Sequence, residues 1–285
     1  MPPTSMAAMI ERITLEADLR DALMAGDLVL RYQPIVDLAT GRTLALESLC
    51  RWRHWSRGLL GPADFLPLAE ETGLIVPLGA WVMTETCRRM AVWRSRLAEA
   101  DAVLATVNLS AAEVRHPGLV DRAAQALDAA GLPAGRLLVE ISEARVGEDD
   151  RAPAERNLRA LVELGVGLAV DDVGAPRPGA RSGLPDPDGW LWSLPVRMLK
   201  IDRSVAAGLG HGPGSRAGRA LSAALGLAGE RGIPAVAKGI ETPDQLARFH
   251  RLGCGGGQGF LFARPLDPAD VAGHLRRTGG APRPA

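Results

Sequence analysis

Short apolar, β-prone runs alternate with longer helical patterns from one end of the chain to the other. The runs are Leu28–Val36, Thr43–Arg51, Val103–Leu109, Arg136–Ile141, Gly167–Val170, Val196–Ile201, Ile233–Ala237 and a last one near Gly259–Phe262. Helix-like segments separate them: Pro62–Glu71, Leu78–Ala98, Ala111–Ala130, Ala152–Leu164, Ser215–Arg231 and Pro243–Leu252. Ser110 followed by Glu113 reads as a capping box, and Thr242-Pro243 as a cap with proline at the first helical position. Gly131 and Gly165 stop their helices. Strands alternating with helices imply parallel strands with right-handed crossovers. Eight such runs in 285 residues predict an α/β fold, a (β/α)8 barrel of the TIM type. A doubly wound open sheet is the alternative, but no Gly-x-Gly-x-x-Gly follows any run. The glycine-rich stretch Gly253–Gly257 precedes the last run and reads as a tight turn, not a phosphate cradle.

The pattern predicts a single domain over residues 10–276, with mobile termini at 1–9 and 277–285. One long irregular stretch is internal: Gly174 to Gly189 carries Pro176, Pro178, Pro185 and Pro187. Trp190 and Trp192 follow it, either as a partner-binding patch or packed against the rim of the barrel.

Composition narrows the function classes. Lys plus Arg and Asp plus Glu number 33 each, so no net field recruits nucleic acid or an anionic membrane. No apolar stretch approaches the roughly 20 residues that span a bilayer, and Met1–Met6 lacks the pattern of a signal peptide. Three cysteines, Cys50, Cys87 and Cys254, form no close pair and point to reduced thiols and a cytoplasmic protein.

Candidate chemistry sits at the ends of the runs. Glu47 closes Leu44-Ala45-Leu46, Asn108 closes Val103–Val107, Glu140 closes Leu137–Val139, and Asp171-Asp172 close Leu168–Val170. Lys200 and Lys238 close Met198-Leu199 and Ala235–Ala237. In a barrel these ends converge on one mouth. Carboxylates plus one amide favour Mg2+ or Mn2+ over zinc, and adjacent aspartates suit a two-ion site acting on a phosphodiester. His54, His116, His211, His250 and His274 are scattered and read as surface residues.

Read in order, Tyr32–Val36, Glu47-Ser48-Leu49-Cys50-Arg51-Trp52, Pro62–Glu70, Asn108-Leu109-Ser110, Glu140-Ile141-Ser142-Glu143, Asp171–Gly174, Leu199–Asp202 and Gln258–Phe262 resemble the EAL domain family over about Leu19 to Leu275. The resemblance implies a barrel that hydrolyses the bacterial second messenger cyclic di-GMP to pGpG with Mg2+ or Mn2+. It implies that Glu47, Asn108, Glu140 and Asp171 hold a first ion and that Asp171 and Asp172 hold a second. Lys200 would orient the attacking water, and Gln33, Leu49, Arg51 and Gln258 would meet the nucleotide.

The family pattern breaks at the second ion. Where it has Ala-Glu-Gly-Val-Glu, this chain has Ala237-Lys238-Gly239-Ile240-Glu241, so a lysine replaces the proposed general base and metal ligand, with Glu241 retained three residues on. Lys238 is expected to pair with Asp171 or Asp172 and to leave one of the two ion positions usable. A second break follows Asp171-Asp172, where Val173–Pro178 replaces the family's Phe-Gly-Thr-Gly-Tyr-Ser-Ser. The expectation is a degenerate regulatory module that binds cyclic di-GMP or a protein partner, as monomer or homodimer, with weak or no hydrolysis. The alternatives are an active phosphodiesterase and a protein-interaction domain without ligand.

Overall fold

The computed structural model describes residues 5–142, 145–176, 189–208 and 214–279. A short link sets the direction of its first strands. β1 (Leu28–Asp37) and β2 (Thr43–His54) are joined by only five residues, 38–42, and pair antiparallel with Gln33 opposite Glu47. A parallel crossover needs about a dozen or more. The expected all-parallel barrel is therefore corrected at β1, which also runs antiparallel to its other neighbour.

β3 (Gly58–Leu60) is a hairpin extension of β2. The remaining barrel strands are β4 (Leu104–Asn108), β5 (Leu137–Ile141), β6 (Gly167–Val173), β7 (Val196–Ile201), β8 (Ala235–Lys238) and β9 (Gly256–Gln258). From β2 through β4 to β9 the neighbours are parallel, and β9 and β2 both pair with β1, which closes the ring. The fold is a closed (β/α)8 TIM-type barrel.

β9 lies earlier than the run near Gly259–Phe262, because two of the glycines read as a turn are strand residues. A β-carbon on Gly256 would stand 2.8 Å from Val236, and one on Gly257 2.5 Å from Leu38 and 2.8 Å from Ile240. Only glycine lets β9 approach so closely.

The helices wrap the barrel: α1 (Met6–Ala25), α2 (Pro62–Thr72), α3 (Ile75–Arg96), α4 (Ala111–Arg115), α5 (Leu119–Ala130), α6 (Glu148–Glu163), α7 (Arg203–Gly208), α8 (Arg216–Arg231), α9 (Pro243–Arg251) and α10 (Pro268–Thr278). The single helix expected over Ala111–Ala130 is two, broken at His116-Pro117. Proline disfavours the helical conformation of the residue before it, and His116 is extended. α1 begins at Met6 with Ser5 as its cap, inside the segment expected to be mobile. It gives little polar/apolar contrast, because Met6, Met9, Ile10, Ile13 and Met24 are exposed while Leu19 and Ala22 are buried. α10 runs to Thr278, past the expected boundary at 276.

Trp190 and Trp192 are buried, so they pack into the fold and do not form the partner patch. Residues 177–188 of the expected proline- and glycine-rich loop, and His211, lie outside the described residues. His54 and His274 are buried, against the surface reading: His54 is 3.2 Å from Asp18, and His274 is 3.2 Å from the Thr43 hydroxyl. The three cysteines are free and buried. No helix among the described residues is long and apolar enough to cross a membrane.

Candidate active site

Side chains on a strand alternate between faces, so residues two apart share one. Ile35, Ala45, Leu138, Ala169, Met198 and Val236 form one buried cluster inside the barrel, with Leu104 packed on it. Two residues further on, the same faces carry Glu47 on β2, Glu140 on β5, Asp171 on β6, Lys200 on β7 and Lys238 on β8. On the antiparallel β1 the offset reverses, and Gln33 precedes Ile35. An apolar plug thus lies beneath a layer of charged and amide groups, at the ends of the strands.

Two ammonium groups organise that layer. Lys200 is fully buried and donates from Nζ to Glu47 Oε2 at 2.8 Å and to Glu140 Oε2 at 2.5 Å. Glu47 also accepts from Asn108 Nδ2 at 2.8 Å and from Gln258 Nε2 at 2.6 Å. Burial alone would raise the Glu47 carboxyl, but Lys200 and these donors outweigh it and hold it at about 2. Glu140 is pushed up to about 7, by burial and then by the charge of Glu47, against the pull of Lys200. Burial works against the charge of Lys200, yet Glu140, Glu47 and Asp171 hold it above its ordinary value.

Lys238 donates from Nζ to Asp171 Oδ1 at 2.6 Å and to Asp172 Oδ1 at 2.7 Å. Adjacent residues of a regular strand point to opposite faces, so one ammonium cannot normally reach both. Here the β6–β7 register shifts between Val170 and Val173, and Asp172 has φ 56°. This left-handed conformation is one that aspartate tolerates better than most residues. It turns Asp172 to the same side as Asp171. Burial disfavours the charge on Lys238, but Asp171 and then Asp172 outweigh it and raise its pKa. Asp172 is correspondingly lowered, with burial opposing and Lys238 and Arg145 favouring its charged form.

Two cavities open on this layer. A smaller one of about 270 Å3 runs between Asn108, Asp171 and the side chains Leu66, Leu78 and Glu113. A larger one of about 870 Å3 is lined by Gln33, Glu47, Leu49, Lys238 and Gln258. The structure thus gathers Gln33, Glu47, Leu49, Asn108, Glu140, Asp171, Asp172, Lys238 and Gln258 around the mouth, with Lys200 beneath.

Of the other expected site residues, Arg51 stands apart and Glu241 lies at the rim. Arg51 donates from Nη1 to the Cys50 carbonyl at 2.8 Å and lines neither cavity. Glu241 is exposed at the rim of the larger cavity, and its backbone N–H donates to Gln245 Oε1 at 2.7 Å. Arg145 was not foreseen. It follows β5 in a 3-10 turn and comes within 3.6 Å of Asp172, lining both cavities. Its only sequence signal is its place just after a strand that ends in a site residue.

The order of these residues matches the EAL domain model across residues 16–265. The chain belongs to the EAL domain family. Similar curated proteins include the bifunctional diguanylate cyclase/cyclic di-GMP phosphodiesterase MucR of Pseudomonas aeruginosa, 41% identical over 260 residues, which cover 91% of this chain and 36% of that protein. The cyclic di-GMP phosphodiesterase NbdA of the same organism is 38% identical over 270 residues, 93% of this chain and 32% of NbdA. This EAL chain therefore spans about a third of the length of these relatives. Among solved structures, the PaMucR phosphodiesterase in complex with c-di-GMP superposes with a TM-score of 0.81 at 38% identity, covering 90% of this chain and 99% of that one. The EAL domain of Mycobacterium smegmatis DcpA gives 0.71 at 32% identity, covering 90% and 100%.

The donor types, though not their present spacing, suit a hard divalent ion. Glu47, Asn108, Glu140 and Asp171 offer three carboxylates and an amide, and Glu140 Oε1 is buried without a hydrogen-bond partner. Among the described residues no three acidic, histidine or cysteine side chains stand close enough to hold an ion as placed. Lys200 stands between Glu47 and Glu140, bonded to both. A second ion does not fit. The Lys238 ammonium takes the position between Asp171 and Asp172 that such an ion would need.

Proposed function

We propose that this EAL domain binds cyclic di-GMP at the barrel mouth and has little or no capacity to cleave it. One observation carries the reading: the Lys238 ammonium bonds both aspartates at 2.6 and 2.7 Å. Binding is supported by Gln33, Leu49 and Gln258 around the larger cavity and by the likeness to a solved relative in complex with c-di-GMP. A Mg2+ or Mn2+ ion held by Glu47, Asn108, Glu140 and Asp171 would supply Lewis-acid chemistry at the phosphodiester. Lys200 would hold Glu47 and Glu140 in place and orient water beside them. No side chain at position 238 remains to act as a carboxylate base, and a lysine held charged by two aspartates does not take up a proton.

Calorimetry with cyclic di-GMP in Mg2+ or Ca2+ should give a measurable isotherm, while incubation with Mn2+ yields no pGpG. Absence of binding at high micromolar ligand removes the proposal. The second reading is an active cyclic di-GMP phosphodiesterase. Relatives named as such favour it, and manganese-dependent turnover by the purified chain would establish it. A ligand-free protein-interaction domain loses its main support with the burial of Trp190 and Trp192. In the favoured reading the output passes to a protein partner or through a homodimer, which light scattering with and without ligand would test. Buried free thiols at Cys50, Cys87 and Cys254 support a reducing, cytoplasmic setting.

A further inference from the structure

We infer that Lys238 is a built-in counter-ion that lets this mouth take a phosphodiester anion without a divalent cation. The inference rests on the proposal that cyclic di-GMP binds here, and it concerns what that binding requires.

The first argument is charge. Within the ion-paired layer four carboxylates, Glu47, Glu140, Asp171 and Asp172, meet three cations, Lys200, Lys238 and Arg145, and the wall of the larger cavity adds Asp202 and Glu241 against Arg203. A glutamate at position 238 would leave five carboxylates against two cations. An incoming phosphodiester would then face a strongly negative wall, and only added cations could make its approach favourable. With lysine the excess within the ion-paired layer is one negative charge, where glutamate would make it three.

The second argument is donor geometry. An ammonium has three N–H donors and no acceptor. Asp171 and Asp172 take two of the Lys238 donors. The side chain also lines the larger cavity, beside Gln33, Glu47, Leu49 and Gln258. The third donor is thus available to an anionic oxygen entering that cavity, as a charge-assisted hydrogen bond.

The third argument is competition. A divalent ion between Asp171 and Asp172 must displace a cation that is covalently attached and already bonded to both. The backbone at Asp172, with φ 56°, is shaped to that contact, because it turns both aspartates toward the same side. The ammonium therefore takes over the charge-balancing part of an ion while offering none of its open coordination positions.

The test is calorimetric binding of cyclic di-GMP to the full chain, in EDTA and in Mg2+ or Ca2+, for wild type and for Lys238→Arg, Lys238→Met and Lys238→Glu. Thermal melts identify variants that remain folded. The expected result is a measurable wild-type isotherm in EDTA as well as in divalent ions. Lys238→Arg should behave likewise. Lys238→Met and Lys238→Glu should lose about 10- to 100-fold in EDTA, the scale of one hydrogen bond to a charged group. Divalent ions should restore binding to Lys238→Glu. Wild-type binding that needs a divalent ion overturns the inference and leaves the proposed function standing. Equal binding by wild type and Lys238→Met in EDTA also overturns it, because another group then supplies the charge. No binding under any condition removes the proposed function, and the inference with it.

Discussion

The carboxylate of Glu113 occupies the space that a β-carbon at Gly79 would fill. Glu113 accepts from the Ser110 hydroxyl at 2.6 Å and from the Ser110 backbone N–H at 2.9 Å, so the capping box of α4 is also the contact that docks α4 on α3. Gly79→Ala should therefore cost about 1–3 kcal/mol, the usual penalty of forcing an extra methyl into a packed site. Urea midpoints measure it. Because the two positions share one space, Gly79→Ala combined with Glu113→Ala should cost clearly less than the two single losses added together.

The same carboxyl makes stability depend on pH. Burial pushes Glu113 up to about 7, against the hydrogen bonds from Ser110 that favour its charged form. In the unfolded chain a glutamate titrates near about 4.3. Below that pH both states hold the proton and the contribution is fully present. As pH rises toward 7 the unfolded state releases its proton first, so stability falls across that window. Glu113→Gln keeps a capping side chain but cannot ionise. Its urea midpoint should fall less than that of wild type over this range. Parallel pH profiles for the two proteins would contradict the assignment.

Lys200 is fully buried against Glu47 and Glu140. Lys200→Met should destabilise by about 3–5 kcal/mol, because it leaves buried carboxylates without their cation. Denaturant titration of the variant reads this directly. A loss below about 1 kcal/mol would mean that the pair behaves like an exposed salt bridge.

Asp172 is the only non-glycine among the described residues with positive φ, at 56°. Asp172→Asn and Asp172→Val both remove the carboxylate charge that faces Lys238, but asparagine keeps an Oδ1 acceptor, so their difference carries the backbone conformation and one hydrogen bond. Asparagine tolerates the left-handed region and a β-branched residue does not. The valine variant should be less stable by about 1–2 kcal/mol, read from paired thermal melts. Equal stability would show that the left-handed turn relaxes on substitution.

Lys238→Glu should gain affinity for divalent ions. Its melting temperature should rise with Mg2+ or Mn2+, by the equivalent of about 2.7 kcal/mol at a hundredfold excess over Kd. The wild type should respond less. An equal rise in both proteins would show that the ammonium does not guard the aspartate pair.

Much of the site was legible because it depends on local alternation. An apolar residue and a polar one two places on share a face of a strand, and that rule alone lines up Ala45 with Glu47, Leu138 with Glu140, Met198 with Lys200 and Val236 with Lys238. Against the family pattern, Lys238 stands out as a charge of opposite sign. The misses have physical causes. β9 was displaced because glycine gives no side-chain pattern, although close packing demands it at Gly256 and Gly257. α1 was unread because apolar side chains on its outer face blur its polarity. Arg145 carries no periodic signal, because a single short turn is too brief to show one.

By itself, the sequence determined the strands β1, β2 and β4 to β8, the faces that line the barrel interior and the carboxylates and lysines at its mouth, since each follows from spacing along the chain. Only the tertiary structure decided the pairing of β1 with β9, the burial of Trp190 and Trp192, and the reach of one ammonium to both Asp171 and Asp172. These depend on closure of the barrel and on one left-handed residue in β6. Closure sets distances between strands remote in sequence, which no local pattern encodes.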